Sequence, residues 1–150
     1  MKATGIVRRI DDLGRVVVPK EIRRTLRIRE GDPLEIYTDR EGGIVLRKYS
    51  PIGELSQFSK QYAEALAQNT GYIVSITDRD QHIAVAGAGK KDLAKKAISR
   101  QMDTLMNQRE SLLAVKGERK FIPITEDGGE NYTAQVIYPI IAEGDAIGTV

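Results

Sequence analysis

The sequence predicts an α+β chain in two parts, and three observations carry that prediction. Charge is split unevenly: residues 1–50 hold 12 basic and 8 acidic side chains, residues 51–150 hold 11 and 13. Alternating, strand-like apolar spacing dominates the first fifty residues, and a 3.6-residue period takes over from Ile52. The later helical patterns stand beside a run of strand patterns that the chain can join antiparallel.

Residues 2–10 read as a strand, Asp11-Asp12-Leu13-Gly14 as a turn, and Arg15 to Val18 as a short returning strand. Pro19 suits the first helical position, where its missing N–H costs nothing, and opens a helix over 19–28. Ile22 and Leu26 give that helix one apolar face; Lys20, Arg23, Arg24 and Arg27 give it a basic one. Gly31-Asp32-Pro33 turns, Leu34–Thr38 alternates as a strand, Asp39–Gly43 turns, and Ile44–Lys48 returns. This β-β-α-β-β unit has about fifty residues, a size at which burial is marginal and dimerisation is the natural remedy.

Tyr49-Ser50-Pro51 reads as a linker between domains 1–50 and 51–150. A helix follows over Ile52–Asn69, with Ile52, Leu55, Phe58, Tyr62, Ala65, Leu66 and Asn69 on its inward face and Gly71 as its stop. Tyr72–Thr77 and His82–Ala86 are strands about the turn Asp78-Arg79-Asp80. A second helix is predicted from Lys90 to about Glu110, with Leu93, Ala97, Ile98, Met102, Leu105 and Met106 inward. Strands are predicted at Ser111–Val115, Glu118–Ile124 and Tyr132–Ile141, and another starts at Ala146.

Composition removes several function classes. Apolar residues make up 41% of the chain, enough for a core, and cysteine is absent. Without Cys there is no disulfide, thiolate metal site or thiol nucleophile, which fits a reducing cytoplasm. Met1–Gly5 lacks the apolar run of a signal peptide. The apolar run Val136–Ala142 is broken by Pro139 and too short to cross a membrane. The expectation is a soluble cytoplasmic protein.

Chemistry is sparse outside the basic set. His82 is the lone histidine, so a metal site is not expected and a strand histidine is the default. Asp78 and Asp80 are ordinary turn residues, and no Ser has a His beside it in a triad pattern. Met102 and Met106 read as core. Gly87-Ala88-Gly89-Lys90 has the look of a phosphate cradle. It fails as a P-loop because Ala84 and Lys91 occupy the Gly and Ser/Thr positions, and as a dinucleotide fingerprint because Asp92 replaces the last Gly. It is a turn capped by a helix whose start could bind an anion. No cofactor and no enzyme activity are expected.

Residues 1–29 concentrate the positive charge: nine Lys/Arg against three acids. A polyanion is the indicated partner. The stretch Thr4–Leu26, with Gly14-Arg15-Val16-Val17-Val18-Pro19 at its centre, closely resembles the DNA-binding module of the AbrB family of bacterial transition-state regulators. The resemblance covers residues 1–50 almost without gaps. It implies a swapped-hairpin β-barrel in which two chains exchange hairpins, and a DNA-binding transcription regulator of bacterial sporulation, nucleoid-associated, acting as activator or repressor. Arg8, Arg15, Arg23 and Arg24 match the arginines that bind double-stranded DNA in that family. Lys2, Arg9, Lys20 and Arg27 are expected as secondary phosphate contacts. Any one of these taken singly could equally be a solvated charge beside an acid; the set together with its glycine–valine–proline core is what points to DNA. No Asn or Gln lies in residues 1–50, so the amide–adenine pairing is missing and base specificity should be modest.

In element order and length, residues 51–150 resemble a GAF domain, a small-molecule sensor fold. That resemblance implies a ligand-sensing role with a small-molecule effector, or else a second dimerisation; contact through both domains would make a homotetramer. A final strand and helix belong to the GAF pattern, whereas Ala146–Val150 is the last run here. The expectation is therefore a domain truncated at its C-terminus, with the Ile52–Asn69 face uncovered. The competing reading is an antitoxin-like interaction module on the same swapped-hairpin fold. Such proteins usually carry a disordered or amphipathic toxin-binding tail, where residues 51–150 look globular.

Overall fold

A computed structural model describes residues 4–54, 56–128 and 131–150. The chain divides into two compact units, one ending at Tyr49 and one running from Ser50 to Val150. No helix among the described residues is long and apolar enough to cross a membrane.

The first unit holds α1 (Lys20–Thr25) and a hairpin of β1 (Leu34–Thr38) and β2 (Ile44–Lys48). The hairpin has the bounds that alternation predicts, and its antiparallel register pairs Leu34 with Lys48 and Thr38 with Ile44. The helix is shorter than predicted. Pro19 sits at its N-cap with extended backbone, not at the first helical position. Arg27 takes a left-handed φ of 53°, and the Ile28 N–H donates back to the Arg23 carbonyl at 2.8 Å. This closes the helix as a Schellman turn. Arg27 therefore leaves the basic face that Lys20, Arg23 and Arg24 keep.

The two predicted N-terminal strands are not formed among the described residues. Residues 4–10 and 15–19 form no regular structure and no ladder. One rung joins them, from the Asp11 N–H to the Arg15 carbonyl at 3.1 Å. A strand exists only through a hydrogen-bonded neighbour, and here the arms meet none beyond that rung. Their apolar side chains are exposed, Val7 at 88% and Val17 at 71%. Both buried apolar clusters of the described residues lie in the second unit.

That unit contains α2 (Pro51–Glu54), α3 (Ser56–Thr70), β3 (Val74–Thr77), β4 (His82–Ala86), α4 (Lys90–Leu93), α5 (Arg100–Gln108), β5 (Leu112–Val115), β6 (Ala134–Ile137), β7 (Pro139–Ala142) and β8 (Asp145–Thr149). Four strands form an antiparallel sheet in the order β4-β3-β8-β7, and β5 pairs with β6. The α3 helix packs on β3 and β4, α5 on β8.

The inward face of α3 differs from the predicted one. Ser59 and Ala63 are buried, whereas Phe58 and Tyr62 are 62% and 51% exposed. Leu55 lies outside the described residues. The sheet beneath carries Ala84 and Ala86, and small side chains on both surfaces let helix and strands approach closely. That rotates the helix by one residue, about 100°, and turns the aromatics outward.

The predicted helix from Lys90 to Glu110 is two helices. Lys95 has a φ of 63°, and Ala97 and Ile98 bridge to Gln81 and Thr125. Ser99 restarts the helix: its hydroxyl accepts from the Met102 N–H at 3.0 Å and donates to the Pro123 carbonyl at 2.5 Å. Ser99→Ala should cost about 1–2 kcal/mol, a buried N-cap together with its second bond; urea unfolding of the full chain measures it. Leu93, Ile98, Met102 and Met106 are buried as predicted.

Residues 118–124 form no strand. The Gln135 carboxamide, oriented to satisfy both groups, brackets the Ile122 N–H and C=O at 2.9 Å each, so a side chain stands where a ladder would. The predicted strand 132–141 divides at Tyr138, after which Pro139 lacks the N–H that would continue the ladder. Tyr138 pairs instead with Val150, at 2.8 and 2.9 Å.

Candidate nucleic-acid interface

The basic residues cluster on the N-terminal arms and on α1. Arg8, Arg9, Arg15, Lys20, Arg23 and Arg24 are exposed; Arg27 is half-buried; Lys2 lies outside the described residues. Arg23 and Arg24 occupy consecutive positions in the last turn of α1, with the half-buried Ile22 beside them. Among the described residues no carboxylate holds Arg8, Arg23 or Arg24. Their guanidiniums keep five donors each for an outside acceptor.

Arg15 is held differently. Its Nε lies 2.7 Å from Asp11 Oδ2, and its backbone N–H donates to Asp11 Oδ1 at 2.8 Å. The Leu13 N–H donates to the same oxygen at 3.0 Å. Gly14, with a φ of 75°, supplies the left-handed residue of the turn. The Arg15 backbone bond, then the guanidinium, hold the Asp11 carboxyl below its ordinary value, partly opposed by desolvation. The clasp is therefore complete above the usual carboxylate range and is lost only as pH falls through that lowered value. Asp11 is the acid that the sequence reading places only in the turn; the signal of its contact with Arg15 is their four-residue spacing across a glycine.

The remaining polar groups of the unit support the frame. Lys48 Nζ donates to the Arg27 carbonyl at 2.9 Å and lies 3.7 Å from Asp32, tying the end of α1 to β2. The Arg47 guanidinium stands 5.1 Å over the Tyr37 ring.

Among the described residues no three His, Asp or Glu come together as metal ligands. His82 is buried, its Nδ1 2.6 Å from the Ser75 hydroxyl and its Nε2 3.3 Å from the Ile124 carbonyl. Asp78 Oδ1 accepts from the Asp80 and Gln81 N–H groups, both at 2.8 Å. The Gly87–Gly89 turn lies against the backbone of Tyr72 and Ile73, and α4 behind it is a single four-residue turn.

Residues 54–150 match the family described as stage V sporulation protein T C-terminal, transcription factor. Residues 7–54 match the antidote-toxin recognition MazE family of bacterial antitoxins. Over 150 residues the chain is 55% identical to stage V sporulation protein T of Bacillus subtilis (strain 168), covering all of this chain and 83% of that protein. It is 41% identical over 112 residues to the transition state regulatory protein AbrB of the same organism, covering 75% of this chain and 97% of that one. Among solved structures, the N-terminal DNA recognition domain of Bacillus subtilis AbrB is 65% identical over 34% of this chain and 94% of that one, with a TM-score of 0.29. By the length and the identity of these matches, the chain belongs to the stage V sporulation protein T family, and it is homologous to AbrB.

Proposed function

We propose that this chain is a DNA-binding transcription regulator of bacterial sporulation that grips duplex DNA through Arg8, Arg15, Arg23 and Arg24, with Arg9, Lys20, Arg27 and Lys2 as flanking phosphate contacts. One observation carries the reading: exposed guanidiniums, three of them without an internal acid among the described residues, are gathered on one small unit of a chain whose family is described as a transcription factor. The working form is a dimer. Arms with exposed Ile6, Val7, Ile10, Val16 and Val17 suit exchange with a second chain, which would supply the missing ladder and core in a swapped-hairpin barrel. A dimer offers the four principal arginines twice. Its affinity for promoter-length duplex should fall about 10³–10⁵-fold between roughly 50 and 200 mM salt. Fluorescence anisotropy across that range tests it; a flat salt profile is the contrary result.

The second unit is read as a GAF-like domain that joins dimers and offers a site for a small-molecule effector. The antiparallel sheet with α3 and α5 packed on it supports the fold reading. Phe58, Tyr62, Ala65 and Asn69 are exposed and spaced four, three and four residues apart, the a/d rhythm of a coiled-coil seam. Phe58 and Tyr62 stack at 6.1 Å between ring centroids. A Phe58→Ser/Tyr62→Ser chain should run as a dimer where the parent runs as a tetramer, by light scattering after size exclusion. Equal masses would remove α3 from the interface.

The MazE match over residues 7–54 favours a second reading, an antitoxin-like interaction module. It predicts capture of a protein partner by residues 51–150 and weak, salt-insensitive DNA binding.

A further inference from the structure

Arg15 differs from Arg8, Arg23 and Arg24 in one respect: among the described residues its rotamer alone of these four is held by an internal acid before any ligand arrives. The same carboxylate that closes the turn, through the Leu13 and Arg15 N–H groups at 3.0 and 2.8 Å, takes the Arg15 Nε at 2.7 Å. The Arg15 side chain is nonetheless 69% exposed. A guanidinium bound through Nε leaves its two Nη groups as a fork, the edge that pairs bidentately with a phosphate or with guanine O6 and N7. Arg8, Arg23 and Arg24 carry no such clamp and must order on binding.

We propose that Asp11 is a positioning residue for DNA recognition: it presents the Arg15 fork in a fixed orientation, making Arg15 the geometrically selective arginine while Arg8, Arg23 and Arg24 act as mobile counter-charges. The inference rests on the DNA-binding reading above. Its physical content is an entropy already settled in the free protein, since an arginine loses several rotatable bonds when it is fixed. The carboxylate also sets a limit: it repels phosphate, so Asp11 helps only if orientation outweighs repulsion. That opposition makes the sign of the effect informative.

Asp11→Asn separates the two jobs of the side chain. The amide oxygen still accepts the Leu13 and Arg15 N–H groups and keeps the turn, whereas the amide nitrogen cannot accept from Nε. Asp11→Ser is the second variant; its hydroxyl keeps a turn bond but is too short to reach the guanidinium. Two probes are used: the duplex that the parent chain enriches from a random-sequence pool, and a scrambled duplex of the same composition. Both variants should lose about three- to tenfold on the enriched duplex, the weight of ordering one such side chain, and keep or slightly gain affinity on the scrambled one. The loss should vanish when Arg15 is already alanine. Thermal melting and the turn amide resonances should match the parent in at least one variant, which a merely structural role would not allow together with lost discrimination. Tighter binding to both duplexes, unchanged binding to both, or a loss that persists in the Arg15→Ala background would overturn the proposal. A parent chain that binds neither duplex would overturn the DNA-binding reading beneath it.

Discussion

An Arg23→Ala/Arg24→Ala chain should bind duplex DNA about 10²–10³-fold more weakly than the parent near 100 mM salt, and its salt slope should drop by about three to four. Both side chains stand exposed on one short helix, with no acid holding either among the described residues. Removing them therefore breaks no internal ion pair, and the fold should tolerate the change. In a dimer the double substitution deletes four phosphate-reaching groups, each releasing about 0.9 of a condensed counterion. Arg119→Ala, in the second unit, is the matched control and should alter neither quantity. A titration by fluorescence anisotropy at several salt concentrations reads affinity and slope together. If the double variant binds as the parent does, the arginines are surface charge and the search moves to a protein partner.

The same arithmetic separates this prediction from that for Asp11. Loss of Arg23 and Arg24 should weaken all sequences alike and flatten the salt response, because a phosphate carries no sequence information. Loss of the Asp11 clasp should change the ratio between sequences and barely touch the slope. With no Asn or Gln in residues 1–50, discrimination must come from arginine forks and DNA shape, so the orientation of one fork matters more than it would in a protein rich in amide contacts.

How much of this was legible in the sequence depended on whether the signal was local. The hairpin Leu34–Thr38 and Ile44–Lys48 and the strand His82–Ala86 have the predicted bounds, because alternation and turn residues act within a few positions. The N-terminal arms read as strands, yet residues 4–10 and 15–19 have no ladder; pairing is a property of neighbours, and propensity alone does not provide one. On α3 the larger side chains looked like the core, but Ala63 and Ser59 face the sheet. Close approach to Ala84 and Ala86 selected small residues over greasy ones, and that demand comes from a surface far along the chain. The helix boundary at Ser99 is locally encoded as an N-cap, but the apolar period runs on through it and masks it. In the site, charge made the arginines visible. Asp11 was hidden, because its tie to Arg15 exists only once the Gly14 turn has folded.

Gly148→Ala should destabilise the second unit by about 3 kcal/mol, at the upper end for added core volume. Gly148 sits on β8, and its φ is one that any residue accepts, so the argument is one of space. A Cβ there would run into the Thr77 carbonyl oxygen and come within 2.8 Å of Ile52 Cδ1 and 3.0 Å of the Thr77 carbonyl carbon. The backbones are that close because β8 and β3 join at the Thr77–Thr149 pair, where the two hydroxyls meet at 2.8 Å and the Thr149 N–H donates to Thr77 Oγ1 at 3.1 Å. Both threonines are 1% exposed. A methyl group must push the strands apart, stretch those buried bonds and strand polar groups that water cannot reach. Ile52 can swing aside; the carbonyl cannot. Trimming the neighbour with Ile52→Ala should therefore fail to rescue the variant and should add its own cavity cost of about 2–4 kcal/mol. Urea unfolding followed by circular dichroism measures both. An unchanged midpoint for Gly148→Ala, or recovery in the double variant, would mean that the strands are not in backbone contact at this pair. Against a total stability of about 5–15 kcal/mol, a loss of this size populates unfolded second units. In the proposed tetramer the regulator should then bind DNA with the avidity of an isolated dimer, since the proposed linkage through the second unit raises effective concentration only while that unit is folded.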